Sequence, residues 1–343
     1  MLISKYAEHK RDFPEYYDNF CIHNNIRMVM DFIGVEKVDN YIDTTSGVSM
    51  PKVGIEEFNL IYNINTSGVL EPYDEKMHIS LSDRSDDKAW NDIKKCINNG
   101  IPIVVLIDVF YLEHLPYYKN AHGVHSVVIY GYTDDERYVE IVDWYKPYFY
   151  IGRISIDDLK CGMASKNPFG ELINSGYPIR NKWIHIEPSG WNATSQELLY
   201  KTVEKQLKTF YLAELEDENF YYGFGILNRI KEILTELTDY PQTELKNICE
   251  RLHKKIFLMY KYSDFNFNYM KKIFEELKMT EFQQELNVLN SRTEYWRKFL
   301  NLLIKTVVAD TDVLYKKVMS QYDKVLHFEN EVFSTYDKIL NHI

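Results

Sequence analysis

Cysteine is scarce here: four in 343 residues, at positions 21, 96, 161 and 249, with no CxxC pair. That excludes a compact disulfide scaffold and offers no structural zinc spacing. Basic residues number 40 against 51 acidic ones, a net charge of −11. A chain of that sign lacks the field that displaces counterions from phosphates, which argues against nonspecific nucleic-acid binding. Walker and dinucleotide glycine motifs are missing, which sets those classes aside. The longest apolar run, Ile101 to Leu112, is broken by Pro102 and Asp108 and is too short to cross a bilayer. The opening Met1-Leu-Ile-Ser-Lys5 has no apolar signal-peptide core. These absences predict a cytoplasmic protein with reduced thiols, no membrane or nucleic-acid partner and no bound metal or cofactor.

What the chain does have is aromatic rings, 28 Tyr and 18 Phe, and a stretch around which the rest can be organised. Ala121-His-Gly-Val-His-Ser-Val-Val-Ile-Tyr-Gly-Tyr132, the polar Thr133-Asp-Asp-Glu-Arg137 and Tyr138-Val-Glu-Ile-Val-Asp-Trp144 read as a β-hairpin. A hairpin brings His125 and Asp143 to the same end of the sheet. Period-2 geometry sets them on one face provided that the loop has odd length. Far upstream, Ile22, Ile26, Val29, Met30 and Ile33 recur at helical spacing, with Asp18 or Asn19 as N-cap and Gly34 as stop. Cys21 then falls in the first turn of a helix, where the dipole and free N–H groups favour a thiolate. A helix-start thiol, then a strand imidazole, then an orienting carboxylate, in that chain order, is the papain-type arrangement.

Between these motifs, 55–62 suggests a short helix and Met77–Leu81 a strand. Ser85–Gly100 carries the full punctuation of an amphipathic helix, with Cys96 as a small hydrophobe beside its buried face. Ile101–Val109 reads as a central strand covered on both faces. Tyr148–Ser155 and Lys182–Glu187 read as further strands, with a helical turn starting at Ile156. The expected fold class is α+β, with an antiparallel sheet in a catalytic domain over residues 1–190. After Pro188-Ser-Gly-Trp191 glycine nearly vanishes. Residues 191–343 are expected to form an all-α bundle of five or six helices: 195–212, 223–237, 243–262, 265–277, 281–308 and 311–343.

His122, three residues before His125, either lines the site or is a solvent-facing loop histidine. Cys21, His23, His122 and His125 can also be written as a zinc set, though nothing in the spacing forces them together. Three stretches bear on identity: Asn19-Phe-Cys-Ile-His-Asn-Asn25, Asp108-Val-Phe-Tyr-Leu-Glu-His-Leu-Pro-Tyr-Tyr118, and His122 to Tyr132 leading to Val142-Asp143. On these the N-terminal half resembles the papain-like domain of the butirosin biosynthesis protein H family and, more distantly, the cysteine peptidases that process bacteriocin leaders. The amide-forming synthetase of closthioamide biosynthesis is a relative of that kind.

The resemblance implies acyl transfer from an acyl carrier protein's thioester to a small-molecule amine. The phosphopantetheine arm would be substrate, and Cys21 nucleophile, His125 base and Asp143 orienting acid. The oxyanion glutamine of papain-like peptidases has no counterpart in Glu15–Phe20. Asn19, Tyr17, Tyr117, His122 or the Cys21 backbone N–H are left as candidates for oxyanion or substrate contact. Docking an acidic carrier would need a local basic patch, for which clusters at 251–255, 271–272 and 292–297 are available; each also reads as an ordinary solvated helix face. A cysteine hydrolase on the same residues and a non-catalytic binding module stay open as alternatives.

Overall fold

The computed structural model describes residues 1–8, 21–41, 48–52, 54, 60–62, 77–81, 86–145, 148–166, 181–211, 220–308 and 311–343. In chain order the elements are α1 (Ser4–Glu8), α2 (Cys21–Phe32), α3 (Val38–Tyr41), β1 (Val48–Pro51), β2 (Ile61–Tyr62) and β3 (Met77–Leu81). Then come α4 (Asp86–Asn98), β4 (Ile103–Asp108), β5 (Val124–Tyr132), β6 (Tyr138–Tyr145), β7 (Tyr148–Ser155), α5 (Ile156–Ala164) and β8 (Lys182–Ile186). The last are α6 (Ser195–Tyr211), β9 (Phe220–Tyr221), α7 (Gly223–Glu236), α8 (Gln242–Leu277), α9 (Gln283–Val308) and α10 (Thr311–Leu340). The chain is mixed α+β, an antiparallel sheet followed by long helices. It divides into two compact units, Met1–Ile42 with Leu70–Asn192 and Asp43–Val69 with Ala193–Ile343.

In the first unit, six strands form a sheet in the order β3-β8-β4-β5-β6-β7, every pairing antiparallel. β4 lies between β8 and β5 with all six of its residues buried, as its unbroken β-branched run predicts. Helix α2 packs against β5 and β6 and is buried on nearly all sides: Ile22, Ile26, Val29 and Met30 are accompanied by His23, Asn24, Asn25 and Arg27. Buried polar groups need partners, and Arg27 finds Asp39 at 2.7 Å. The helix stops where Gly34 takes φ +84°, a conformation that costs glycine little.

The hairpin that carries His125 and Asp143 depends on an irregularity. Tyr132 pairs with Val139 and Gly131 with Glu140, but Ile129 pairs with Ile141, so Tyr130 is an extra residue on β5. Between paired Tyr132 and Val139 lie the six residues 133–138, an even number that by itself would send His125 and Asp143 to opposite faces. The bulge restores the parity. Carrying its register onward sets His125 opposite Tyr145, with Asp143 diagonally beside it on the same face. The bulged stretch takes its outer hydrogen bonds from the chain start: Ile3 N–H donates to the Tyr130 carbonyl at 3.0 Å, and Tyr132 N–H to that of Met1 at 2.8 Å.

The second unit is built on α6–α10. The core shared by α7–α10 includes Ile230, Leu234, Trp296, Phe299 and Tyr322, with Val48, Met50 and Leu60 packed into it from the earlier segment. There β1 pairs with β2 and with β9. The helix expected over 55–62 is therefore corrected at Ile61–Tyr62, which are strand; 55–59 lie outside the described residues. Two expected helices, 243–262 and 265–277, are one unbroken α8. The Ser263-Asp264 pair does not interrupt it, because the Ser263 hydroxyl donates back to the Met259 carbonyl at 2.8 Å and stays within the helical pattern. Arg292, expected in a surface cluster, is buried: Glu329 accepts from its Nε at 2.8 Å, and the same carboxylate accepts from Trp296 Nε1 at 2.7 Å. Among the described residues, no helix is long and apolar enough to cross a membrane.

Candidate active site at the mouth of the hairpin

Cys21 is the first residue of α2, where the backbone N–H groups of the first turn have no partner within the helix. It is half-buried. Its thiol hydrogen-bonds to His125 and Ser126, both on β5. His125 is buried, and its Nε2 lies 2.8 Å from Oδ1 of the equally buried Asp143. Nδ1 is then the ring atom left for the sulfur. Three residues from three parts of the chain thus form one line, from sulfur to imidazole to carboxylate.

Two asparagines in the first turns of α2 tie that helix to the strands beside the line. Asn25 Nδ2 donates to the Ser126 carbonyl at 2.7 Å and to its Oγ at 2.8 Å, while Asn24 Nδ2 reaches the Trp144 carbonyl at 3.5 Å. Ser126 follows His125 and Trp144 follows Asp143, so these bonds fix the helix start against the residues flanking the imidazole and the carboxylate.

The electrostatics follow from burial opposed by charge. Burial pushes the Cys21 thiol up, but the His125 charge and the hydrogen bonds from His125 and Ser126 outweigh it and hold the thiol below its ordinary value. His125 is pushed down by burial and raised well above the usual histidine range by Asp143 and Cys21. Burial pushes Asp143 up, while His125 and a hydrogen bond from His114 bring it down to about 2. The directions favour the charged forms, thiolate at Cys21, imidazolium at His125 and carboxylate at Asp143, over the neutral ones that burial alone would favour. Burial pushes Cys96 and Cys249 the other way.

Sequence reasoning missed His114 as a member of this group. Its Nε2 lies 2.8 Å from Asp143 Oδ2, and its ring stacks on Tyr150 with centroids 4.1 Å apart and planes 4° from parallel. The available signal was its place in the 108–118 segment; Asn24, Asn25 and Ser126 carried none beyond being polar in otherwise apolar elements. Asp108, at the end of β4, is a second buried carboxylate. It accepts from Phe110 N–H and Gly123 N–H at 3.1 Å each, from Ser165 Oγ at 2.6 Å and from His122 Nδ1 at 2.8 Å. It pins both ends of the loop between β4 and β5.

The remaining candidates are placed as follows. His122 is held by Asp108 and stacked on Phe110, centroids 4.4 Å apart, with a quarter of its side chain exposed (26%). Tyr117 is half-buried in the loop, its carbonyl accepting from the Asn120 and Ala121 amides. Tyr17 and Asn19 lie outside the described residues. No group of three or more His, Cys, Asp or Glu among the described residues is arranged to hold a metal ion, and the zinc set is not drawn together, since His122 turns to Asp108.

Residues 69–144 match the family described as Butirosin biosynthesis protein H, N-terminal. The matched stretch contains Asp108, His114, His122, His125 and Asp143 and does not include Cys21. No curated protein matches the chain.

Proposed function

We propose, from the premise that residues 69–144 form a butirosin biosynthesis protein H N-terminal domain, that the first unit is a papain-like acyltransferase of antibiotic-type biosynthesis. It would move an acyl group from a carrier-protein thioester through Cys21 to an amine. The observation that carries the reading is the line Cys21–His125–Asp143 at a helix start, with the thiol shifted down and the imidazole up. A thiolate available at neutral pH is what attack on an acyl carbon needs.

In the first step the Cys21 thiolate adds to the thioester carbonyl of a phosphopantetheine arm. The arm's sulfur then leaves, taking the proton from His125. One thioester replaces another, so the step asks mainly for positioning. The Cys21 N–H, in the first turn of α2 where helix N–H groups lack intrahelical partners, would serve as an oxyanion donor. In the second step a primary amine adds to the acyl-enzyme, His125 accepts its proton, and the Cys21 thiolate is expelled as the amide forms. Asp143 keeps the imidazole oriented and balances its charge throughout. The loop from Tyr111 to Tyr118, anchored by buried Leu112 and Leu115, is the wall that would keep water from the acyl-enzyme. With Arg292 buried, docking of an acidic carrier falls to cations such as exposed Arg251 and Lys271.

The test is incubation of the full chain with acyl-phosphopantetheinyl carrier thioesters, followed by intact mass and peptide mapping. An acyl adduct on Cys21 that discharges to amide when an amine is added is the expected result, with Cys21→Ala forming none. An adduct that survives Cys21→Ala would overturn the scheme. Release as free acid at one rate with or without amine would make the protein a hydrolase.

A further inference from the structure

The triad uses only one oxygen of Asp143. Resting on the Cys21–His125–Asp143 reading, we infer that His114 is a positioning residue: its Nε2–H locks the second carboxylate oxygen and so fixes the brace on which His125 turns.

Ionised carboxylates only accept, so both histidines donate to Asp143 through Nε2, each across 2.8 Å. Their second nitrogens differ. That of His125 is left to the Cys21 sulfur, whereas Nδ1 of His114 is buried and has no hydrogen-bond partner among the described residues. A proton relay needs a partner at both ends, and among the described residues His114 has a partner at one end. Its geometry is that of a clamp. Tyr150 holds the ring flat against itself, and the Tyr150 hydroxyl is in turn tethered, accepting from Arg153 N–H and donating to the Arg153 carbonyl at 3.1 Å each.

The groups that meet around the carboxylate are Cys21 from α2, His125 from β5, His114 from the loop after β4 and, behind His114, Tyr150 from β7. The side chains of Asp143 and His114 are 1% and 6% exposed, so water does not stand in for a lost donor. Without the clamp, Oδ2 is left buried and unsatisfied. The carboxylate would then turn or take up a proton at higher pH, and either change withdraws support from the His125 imidazolium and through it from the thiolate. The His114 contact already counts among the causes that bring Asp143 down, after burial, which opposes it, and the charge of His125.

Two substitutions separate donor from ring. His114→Phe keeps a flat ring for Tyr150 and removes the N–H; His114→Gln loses the ring but carries an amide N–H to about the place of imidazole Nε2. The readout is the rate of Cys21 alkylation by iodoacetamide against pH in the full chain, by peptide mass spectrometry, with exposed Cys161 as internal reference. In H114F the rate at pH 6 is expected to fall about tenfold and the acid limb to move up by about one pH unit, the scale of losing a hydrogen bond to a charged group. H114Q restores most of it. Should H114F fail to fold by circular dichroism, H114N carries the same expectation, because its amide is too short to reach. Phe retaining the profile while Gln loses it would mean that the ring, not the donor, matters, and would overturn the inference, as would profiles that all superimpose on wild type. Wild-type Cys21 reacting no faster than Cys161 at pH 6 is a different failure, that of the triad reading itself.

Discussion

At the scale of single residues, His23 makes a statement about pH that can be separated from the site. It is fully buried, and burial first, then the nearby charge of Arg27, brings its imidazole down to about 3. An unfolded chain would protonate the same ring near 6.5. Its depressed value leaves folding undisturbed above that pH, while below it the unfolded state gains protons that the folded state refuses. Stability is therefore expected to fall by roughly 1.4 kcal/mol per pH unit as pH drops from about 6.5 toward 3. Asp143 adds nothing between pH 7.5 and 5.5, where folded and unfolded carboxylates are both ionised. Below about pH 5 the unfolded aspartate takes up a proton that the folded one, held down to about 2, does not, and its contribution is lost as well. His125 adds nothing as pH drops below about 6.5, since it is protonated in both states there. Urea midpoints at pH 7.5, 6.5 and 5.5 would reveal the slope, and His23→Leu should flatten it. An unchanged slope in that variant would assign it to other groups.

At the scale of elements, the close packing of α5 on β4 reverses an ordinary rule. Replacing a helix-interior glycine by alanine usually stabilises by about 1 kcal/mol. At Gly162 the added Cβ would stand 2.5 Å from Cγ1 of Ile107 and 3.2 Å from Cβ of Tyr111. Overpacking of that kind costs about 1–3 kcal/mol, so Gly162→Ala is expected to lower the melting temperature rather than raise it. Ile107 pairs directly with His125 in the β4–β5 ladder, so the strain lands beside the site. The element scale is also where sequence patterns read best. A helix with Cys21 in its first turn and ending ahead of Gly34, the buried strand after Pro102 and the strands from 124, 138, 148 and 182 follow from local spacing. Patterning failed where it divided one helix into two at residues 263–264, and where a short apolar run, Ile61-Tyr62, belonged to a strand whose partner lies elsewhere in the sequence.

For the molecule as a whole, the chain leaves the first unit after residue 42, contributes residues 43–69 to the second and returns. Val48, Met50 and Leu60, at 5%, 1% and 0% exposed, are buried against helices that come after residue 193. A fragment ending at Asn192 would strand those three side chains in water. It is expected to bind the dye ANS and to aggregate at concentrations where the full chain stays monodisperse, and removing 43–69 as well should relieve this. Equal dye binding by the fragment and the full chain would argue against it. The buried Arg292–Glu329 pair belongs to the same scale: read along the sequence Arg292 is one more cation on a charged helix, and only the approach of α10 makes it an interior one.

The sequence by itself determined the residue types of the site and the elements that carry them. Helical and strand periodicity depend on contacts a few residues apart, and a cysteine at a helix start or a histidine in a strand is visible at that range. Tertiary structure alone decided the bulge at Tyr130 that puts His125 and Asp143 on one face, the arrival of His114 on the second oxygen of Asp143, the tethering of α2 by Asn24 and Asn25, and the passage of 43–69 into the helical unit. Each joins groups whose distance in space is unrelated to their distance along the chain, so no local pattern encodes it.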